Sequence, residues 1–137
     1  MKLSIIVTTY NSEKYIKECI ESVVCALGSF IDYQIIIVDN NSYDKTIDIV
    51  NEFDSDKIEI IKQKGNKGYS FSVNNGVSKS KFKKILILNP DTVVLDNAIF
   101  DLYNASENSN AGVVGAKLVN TDGSFQLSSR RHFPTLG

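Results

Sequence analysis

Polar side chains that can bind a nucleotide or a metal ion follow four short apolar runs of this sequence. The first of these polar segments is Thr8-Thr-Tyr-Asn11, and the second is Asp39-Asn-Asn-Ser42. The third, Lys64–Ser70, contains two glycines and an asparagine, and the fourth is Asn89-Pro-Asp-Thr92. The carboxylates of the second and fourth segments are suited to binding a ribose, a base or a hard divalent cation.

The two aspartates of these segments favour different ligands. Asp39 can accept hydrogen bonds from a base or ribose, whereas Asp91 can bind Mg²⁺ or Mn²⁺. Such a cation takes one or two protein carboxylates, completes its coordination with phosphate oxygens and can neutralise a diphosphate leaving group. Lys67, Arg130 and Arg131 can add positive charge against phosphate. Asn, Asp and Ser also cap helices and form turns, so a structural role stays open for each segment taken singly.

Several familiar sites are excluded by the sequence. It has no G-x-x-x-x-G-K-[ST] motif and no glycine directly after the first apolar run, which excludes a P-loop and a dinucleotide fingerprint. One histidine and two distant cysteines cannot form a structural zinc site. That histidine, His132, lies in a terminal loop without a G-x-S-x-G elbow, which excludes a Ser-His-Asp triad.

Short runs rich in β-branched residues predict the strands that position the polar segments. Several runs are apolar at successive positions, which is typical of strands covered on both faces of a sheet. The predicted strands are Leu3–Thr9, Gln34–Asp39, Lys57–Lys62, Lys84–Asn89 and Gly112–Val119.

Segments with helical spacing alternate with these strands. They cover about 15–27, 43–53, 69–80 and 97–103. Ser12 is placed as the N-cap of the first helix, and Asp44 lies in the first turn of the second. The alternation predicts parallel βαβ units in a doubly wound sheet. Right-handed crossovers bring the carboxyl ends of such strands to one edge, where ligands bind, so we expect all four polar segments to converge there.

The composition is that of a globular domain without an excess of charge. The chain has 137 residues, 42% hydrophobic and 23% charged, with a net charge of −1. Proteins that bind the nucleic-acid backbone usually have a clear basic excess, so nucleic acid is not an expected partner. No apolar run approaches the roughly 18 residues of a spanning helix, and the first run is too short for a signal peptide.

The two cysteines indicate a reducing compartment. Cys19 and Cys25 lie on one predicted helix and are separated by about 9 Å along its axis, beyond disulfide reach. We expect both to be core residues of a reduced, cytoplasmic protein.

A basic segment runs from Lys57 to Lys84, with eight lysines and one acidic residue. It is either a solvated face or a surface that attracts an anionic donor or anionic lipid, which would permit peripheral contact with the inner face of a membrane.

Four segments taken together resemble the family 2 glycosyltransferases. They are LSIIVTTYN at 3–11, IIVDNNS at 36–42, NKGY at 66–69 and LNPDT at 88–92. Their order and spacing match the family over essentially the whole chain. The resemblance implies the GT-A fold, an α/β, Rossmann-like and mostly parallel sheet with helices on both faces. The Asn-Pro-Asp variant and the later Ser-Ser-Arg-Arg segment are most similar to the rhamnosyltransferase-like branch, which builds bacterial surface polysaccharides.

The resemblance also implies roles for residues at matching positions. The implied donor-binding residues are Thr8, Tyr10, Asn11, Glu13, Asp39, Asn66, Lys67, Gly68 and Asn89. Asp39 would contact the base or ribose, and Asn66 and Gly68 would shape a loop over the donor. Asp91 corresponds to the last carboxylate of the family's D-x-D metal motif, whose first carboxylate is replaced by Asn89, a neutral oxygen donor. That replacement lowers the expected dependence on Mg²⁺ or Mn²⁺.

The implied activity is an inverting sugar transfer. The donor would be a UDP- or dTDP-linked sugar, with rhamnose as a candidate, and the acceptor a hydroxyl of a glycan or lipid-linked molecule. Inverting members of the family use a later Asp or Glu to deprotonate that hydroxyl, and no matching segment precedes residue 137. We therefore expect residues 1–137 to be a single nucleotide-sugar-binding part of a truncated domain.

Three other classes of protein share parts of this sequence pattern. A non-catalytic nucleotide-sugar-binding module fits a chain without the catalytic base. A sugar-phosphate nucleotidyltransferase has a similar sheet but requires a glycine- and basic-rich loop where this chain has Tyr10-Asn-Ser-Glu13. A receiver domain with Asp39 as phosphoacceptor requires an acidic pair in place of Thr8-Thr9.

Overall fold

The computed structural model describes residues 1–28, 32–53 and 55–129. Contacts divide the chain into two compact units, the first ending at Asp96 and the second beginning at Asn97. The strands are β1 (Lys2–Thr9), β2 (Asp32–Asp39), β3 (Ile58–Lys62) and β4 (Ile85–Leu88). The helices are α1 (Ile16–Leu27), α2 (Thr46–Asn51), α3 (Tyr69–Lys79) and α4 (Ala98–Glu107), and a 3-10 turn covers Leu127–Ser129.

The strands of the first unit form a parallel sheet in the order β3-β2-β1-β4. β1 pairs with β2 from Lys2 opposite Asp32 to Thr9 opposite Asp39, and with β4 along its other side. The chain moves outward from β1 to β2 and β3 and then crosses back to β4. The strand order therefore reverses next to β1, where a parallel sheet of this kind opens a crevice for ligands. The expected parallel α/β architecture is confirmed.

The two central strands form the core of the sheet. Ile5 and Ile6 of β1 and Ile36 and Ile37 of β2 are fully buried. Successive side chains of a strand point to opposite faces, so both faces are covered, as the continuous apolar runs predict. The outer strands β3 and β4 are only partly buried.

Helix α3 lies close against one face of the sheet. A Cβ atom at Gly76 would be 2.6 Å from Cγ2 of Ile6, so only a glycine permits this approach. Ile6 packs with Ile36 and Val38 on this face. Right-handed crossovers place α1 and α2, which contact each other, on the opposite face.

Two expected helix starts are wrong. The Ser12 side chain does not cap α1, which begins at Ile16; instead the Ser12 carbonyl accepts a hydrogen bond from the Ile16 N–H at 3.0 Å. Helix α2 begins only at Thr46. Asp44 precedes it and accepts hydrogen bonds from the Thr46 N–H and hydroxyl, so the chain turns before the helix forms.

The buried stripe of α1 is narrower than expected. Its buried residues are Ile16, Cys19, Ile20, Val23 and Leu27, which share one face at intervals of three and four. Cys25 was expected in the core but is exposed, because it falls outside that face. Val24 is 39% exposed for the same reason.

The expected fifth strand, 112–119, does not form. Among the described residues of this segment, Val119 alone makes a β-bridge, an antiparallel one to Phe125, and Val113 is 89% exposed. Glycines at 112 and 115 weaken a strand, and a strand without a hydrogen-bonded partner is not stable. No helix in the described ranges is long and apolar enough to span a bilayer.

Candidate functional site

The carboxylate of Asp39 closes the turn after β2. It is 3% exposed. Its two oxygens accept hydrogen bonds from Ser42, one from the N–H at 3.0 Å and one from the hydroxyl at 2.5 Å. Asp39 is therefore held in a fixed orientation at the carboxyl end of the sheet.

The loops after β1 and β2 are joined by Asn11. Its N–H donates to the Ser42 hydroxyl oxygen at 2.9 Å, and its side-chain oxygen accepts from the Tyr43 N–H at 3.0 Å. Asn11 has a φ of 51°, a left-handed conformation that asparagine adopts more readily than most residues. Asn11 and Asp39 thus both hydrogen-bond to Ser42, and the first two polar segments lie side by side at the edge of the sheet, as the sequence predicts.

Glu13 extends this connection to the start of α2. Its N–H donates to Asp44 at 3.1 Å, and its carboxylate accepts from the Lys45 N–H at 3.1 Å. Burial raises the pKa of Asp44, but hydrogen bonds from Thr46 and from the Glu13 N–H outweigh it and hold that pKa below its usual value. Glu13 thus orders the loops, and its carboxylate is engaged with the protein backbone.

Two tyrosines form an exposed aromatic surface beside Asp39. The rings of Tyr10 and Tyr43 meet edge to face, with centroids 6.1 Å apart and planes at 83°. Tyr10 is 44% exposed and Tyr43 83% exposed. Exposed ring faces of this kind can stack on a planar base. Tyr43 was missed in the sequence, although it directly follows the Asp-Asn-Asn-Ser segment; Thr8, which was predicted, is buried at 5% exposure.

A buried polar cluster links β2 to the start of α3. The Ser72 hydroxyl lies 2.8 Å from the Asn40 side-chain oxygen and 3.0 Å from the Gln63 side-chain nitrogen. This cluster was not predicted from the sequence, where its signal is the polar residue that follows each of the two strands, Asn40 after β2 and Gln63 after β3. Among the described residues, Gln63 Oε1 and Thr9 Oγ1 are buried without a hydrogen-bond partner.

The loop between β3 and α3 is exposed. The Asn66 side-chain oxygen accepts from the Gly68 N–H at 3.0 Å, and Gly68 has a φ of 84°, which favours glycine. The Lys67 ammonium lies 4.8 Å from the Phe71 ring centroid. Asn66, Lys67 and Gly68 are all exposed at the carboxyl edge of the sheet, where a ligand could reach them.

Asp91 lies in a tight turn after β4. The Thr92 N–H donates to the Asn89 carbonyl at 3.2 Å, with Pro90 and Asp91 between them. Asn89 and Asp91 are exposed. The thiol of Cys19, in α1, donates to the same Asn89 carbonyl at 3.6 Å. Burial raises the pKa of Cys19 to about 11, a backbone hydrogen bond from Thr92 opposes the rise, and the charge of Asp91 adds to it.

The oxygen atoms near Asp91 suit a cation whose coordination is completed by a bound phosphate ligand. Among the described residues, no group of three or more His, Cys, Asp or Glu side chains could hold a metal ion. One carboxylate and the Asn89 amide oxygen are nevertheless enough for Mg²⁺ or Mn²⁺ that takes its other ligands from phosphate and water. These residues therefore fit a cation that binds together with the substrate better than one that the protein holds permanently.

The sheet places Asp39 and Asp91 on either side of β1. Asp39 is the last residue of β2 and Asp91 follows β4, and both strands pair with β1. The four polar segments share the carboxyl edge, as expected. Arg130, Arg131 and His132 lie outside the described residues.

Comparison with known proteins agrees with this geometry. The chain is 32% identical over 126 residues to the poly(ribitol-phosphate) beta-glucosyltransferase of Bacillus spizizenii, which covers 90% of this chain and 20% of that protein. It is 29% identical over 127 residues to the GalNAc(5)-diNAcBac-PP-undecaprenol beta-1,3-glucosyltransferase of Campylobacter jejuni, covering 90% of this chain and 40% of that one. The chain thus spans between a fifth and two-fifths of the length of these relatives.

A solved structure has the same fold. TarS 1-349 of S. aureus, crystallised in complex with UDP-GlcNAc, matches with a TM-score of 0.68 and 25% identity, covering 85% of this chain and 38% of that one. The family model of glycosyl transferase family 2 matches residues 4–136, nearly the whole sequence. The chain therefore belongs to glycosyl transferase family 2 and has the GT-A fold.

Proposed function

We propose that this chain binds the nucleotide-diphosphate sugar donor of a glycosyltransferase. The observation that carries the proposal is the placement of Asp39 and Asp91 on either side of β1, where the strand order reverses. The base and ribose would lie against Tyr10, Tyr43 and Asp39, and the diphosphate would lie near Asp91. The UDP-GlcNAc bound to TarS 1-349 supports this class of donor.

A divalent cation is proposed as part of the donor complex. Asp91 and Asn89 would hold Mg²⁺ or Mn²⁺ through one carboxylate and one amide oxygen. When bound, the cation would neutralise charge on the departing diphosphate. Since the amide carries no charge, we expect the cation to bind weakly until the nucleotide supplies phosphate oxygens.

Calorimetric titration with UDP, dTDP and GDP, each with and without Mn²⁺, tests the donor site. We expect one nucleotide to bind, with higher affinity when Mn²⁺ is present, because the cation takes phosphate oxygens of the nucleotide as ligands. Asp91→Ala removes the gain from Mn²⁺, and Asp39→Asn weakens binding in both conditions. Asp56→Ala, a change at an exposed aspartate before β3 and thus at the opposite edge, is the matched control and leaves both affinities unchanged. A folded protein that binds none of the nucleotides contradicts the proposal.

We further propose that the sugar is transferred with inversion to a hydroxyl of a glycan or lipid-linked acceptor, in cell-surface polysaccharide synthesis. The acceptor oxygen would attack the anomeric carbon opposite the diphosphate. The bond to the diphosphate would break, the nucleotide diphosphate would leave with the electron pair, and a base would take the hydroxyl proton. The names of the relatives, which include poly(ribitol-phosphate) and PP-undecaprenol, support such acceptors.

The stereochemistry and the sugar are tested together by product analysis. UDP-glucose, UDP-GlcNAc and dTDP-rhamnose are compared as donors to a lipid-linked glycan acceptor, in a protein that extends through the catalytic base expected after residue 137. NMR gives the anomeric configuration of the product. Inversion predicts that an α-linked donor yields a β-linked product, and retention of configuration contradicts it. Preferred turnover of dTDP-rhamnose would support the rhamnosyltransferase-like branch, which stays a prediction.

Peripheral membrane contact at the cytoplasmic face is also proposed. Lys62, Lys64 and Lys67 are exposed near Tyr69 and Phe71, which are 53% and 47% exposed. Lysines beside exposed aromatic rings favour the interface of an anionic membrane, and two unpaired thiols fit a reducing compartment. Co-sedimentation with phosphatidylglycerol vesicles but not with phosphatidylcholine vesicles would support this contact, and equal binding to both or to neither would contradict it.

A further inference from the structure

Helix α1 is fastened to the loop after β4 by two side chains. Ser22 and Cys19 lie one turn apart on the helix, and both contact the segment 89–94. The Ser22 hydroxyl accepts a hydrogen bond from the Val94 N–H at 3.0 Å and donates to the Cys19 carbonyl at 2.8 Å. Its two hydrogen bonds therefore fix one end of the segment to the helix backbone.

Cys19 fixes the other end of the same segment. Its thiol donates to the Asn89 carbonyl at 3.6 Å, and the side chain is 1% exposed. The Asn89 carbonyl also accepts from the Thr92 N–H, which closes the turn around Asp91. A buried donor and a closed turn leave the backbone of this end little freedom.

Asp91 lies between these two anchor points and is itself exposed. A lone carboxylate that must meet a cation and a diphosphate gains affinity when its backbone is already in place, because no ordering cost arises on binding. Residues that orient a metal ligand from behind typically change metal affinity by about 10- to 100-fold when removed.

We propose that Cys19 and Ser22, here called the α1 clamp, are positioning residues that hold Asp91 in place for the cation and diphosphate of the donor. This inference rests on the proposed function of the Asp91 turn. Neither clamp residue would contact the ligand; each acts through the backbone of the segment 89–94.

The test compares Ser22→Ala with Ser22→Thr and Ser78→Ala. The hydroxyl of Ser78, in α3, also donates to the carbonyl three residues before it, that of Asn75, at 2.7 Å. Ser78→Ala therefore removes a similar helix hydrogen bond far from the Asp91 turn. NMR amide exchange of Val94 reports the clamp itself, and calorimetry of nucleotide binding with and without Mn²⁺ reports its effect on the site.

We expect Ser22→Ala to speed Val94 amide exchange by up to about tenfold, because the hydrogen bond to Ser22 is lost. The same variant should lose most of the Mn²⁺-dependent gain in nucleotide affinity, with metal-free affinity unchanged. Ser22→Thr keeps the wild-type exchange rate of Val94 and the wild-type gain from Mn²⁺, and Ser78→Ala changes neither quantity. If Mn²⁺ raises the nucleotide affinity of the wild type and of Ser22→Ala equally, the positioning role of the α1 clamp is overturned while the proposed function stands. If the wild type binds nucleotide without any gain from Mn²⁺, the cation site is overturned and the clamp's role with it.

Discussion

The Ser42 hydroxyl connects the two loops that carry most of the candidate donor contacts. It donates to Asp39 at 2.5 Å and accepts from the Asn11 N–H at 2.9 Å. One oxygen thus orients the aspartate proposed to contact the base and fixes the backbone beside Tyr10. Asp39 therefore combines a structural role in the turn with its proposed role in binding. A polar residue at the end of a strand can serve both purposes.

Ser42→Ala is predicted to lower the free energy of unfolding by about 1–2 kcal/mol, because two partly buried partners lose their hydrogen bond. Urea denaturation measures the change. Ser55→Ala is the control: that hydroxyl accepts from the Lys57 N–H within an exposed turn, at 3.2 Å, and its loss costs less than about 0.5 kcal/mol. Equal losses in the two variants would contradict the connecting role of Ser42.

The two cysteines are predicted to react at very different rates. Cys19 is buried with a pKa of about 11, so it stays a protonated thiol at neutral pH, whereas Cys25 is exposed. Since the thiolate is the nucleophile, iodoacetamide should modify Cys25 at least about tenfold faster. Mass spectrometry of peptides from the native protein measures both rates, and similar rates would show that Cys19 is not held against the Asp91 turn.

Asp44 is predicted to make stability depend on acid pH. Burial raises its pKa, but hydrogen bonds from Thr46 and the Glu13 N–H lower it overall. Its contribution to stability is therefore complete above the unfolded pKa of about 3.9 and is lost as the pH falls through the folded pKa. Asp44→Asn should be less stable than the wild type at pH 7, and the difference in the free energy of unfolding should shrink as the pH falls through the folded pKa of Asp44. A gap that Asp56→Asn also shows, or one that is constant with pH, would contradict this.

At the scale of elements, the contact between α3 and the sheet depends on one glycine. A Cβ at Gly76 would lie 2.6 Å from Ile6 Cγ2, so Gly76→Ala should lower the free energy of unfolding by about 1–3 kcal/mol. Gly112→Ala is the control, since a Cβ there meets nothing within 4 Å. Denaturation midpoints of both variants test this packing, and a neutral Gly76→Ala would contradict it.

The elements that could be predicted from the sequence are those whose signal is local. β1 and β2 each contain a short run of consecutive apolar residues, at 5–7 and 35–38, and such runs indicate buried central strands without knowledge of their partners. The segment 112–119 has a similar composition, but a strand requires a partner, which the composition does not reveal. Helix α2 starts late because Asp44 makes a turn first, a side-chain contact that competes with the helix.

At the scale of the whole molecule, the position of the site could be predicted but its connections could not. Parallel topology places every strand's carboxyl end at one edge, so residues at or just after the ends of strands, such as Asp39 and Asp91, were identified from sequence. Tyr43, Ser72 and the α1 clamp act through contacts between distant segments. The hydrogen bond from Val94 to Ser22, for example, joins residues 72 positions apart. No local pattern encodes such a pair.

NMR shift mapping of backbone amides during titration tests most directly whether a nucleotide diphosphate binds at the carboxyl edge of the sheet. We predict that UDP, or whichever of UDP, dTDP and GDP binds, shifts the amides of Tyr10, Asn11 and Tyr43. With Mn²⁺ replaced by diamagnetic Mg²⁺, the amide of Asp91 should shift as well. Shifts confined to the opposite edge, around residues 79–84, would contradict nucleotide binding at the carboxyl edge.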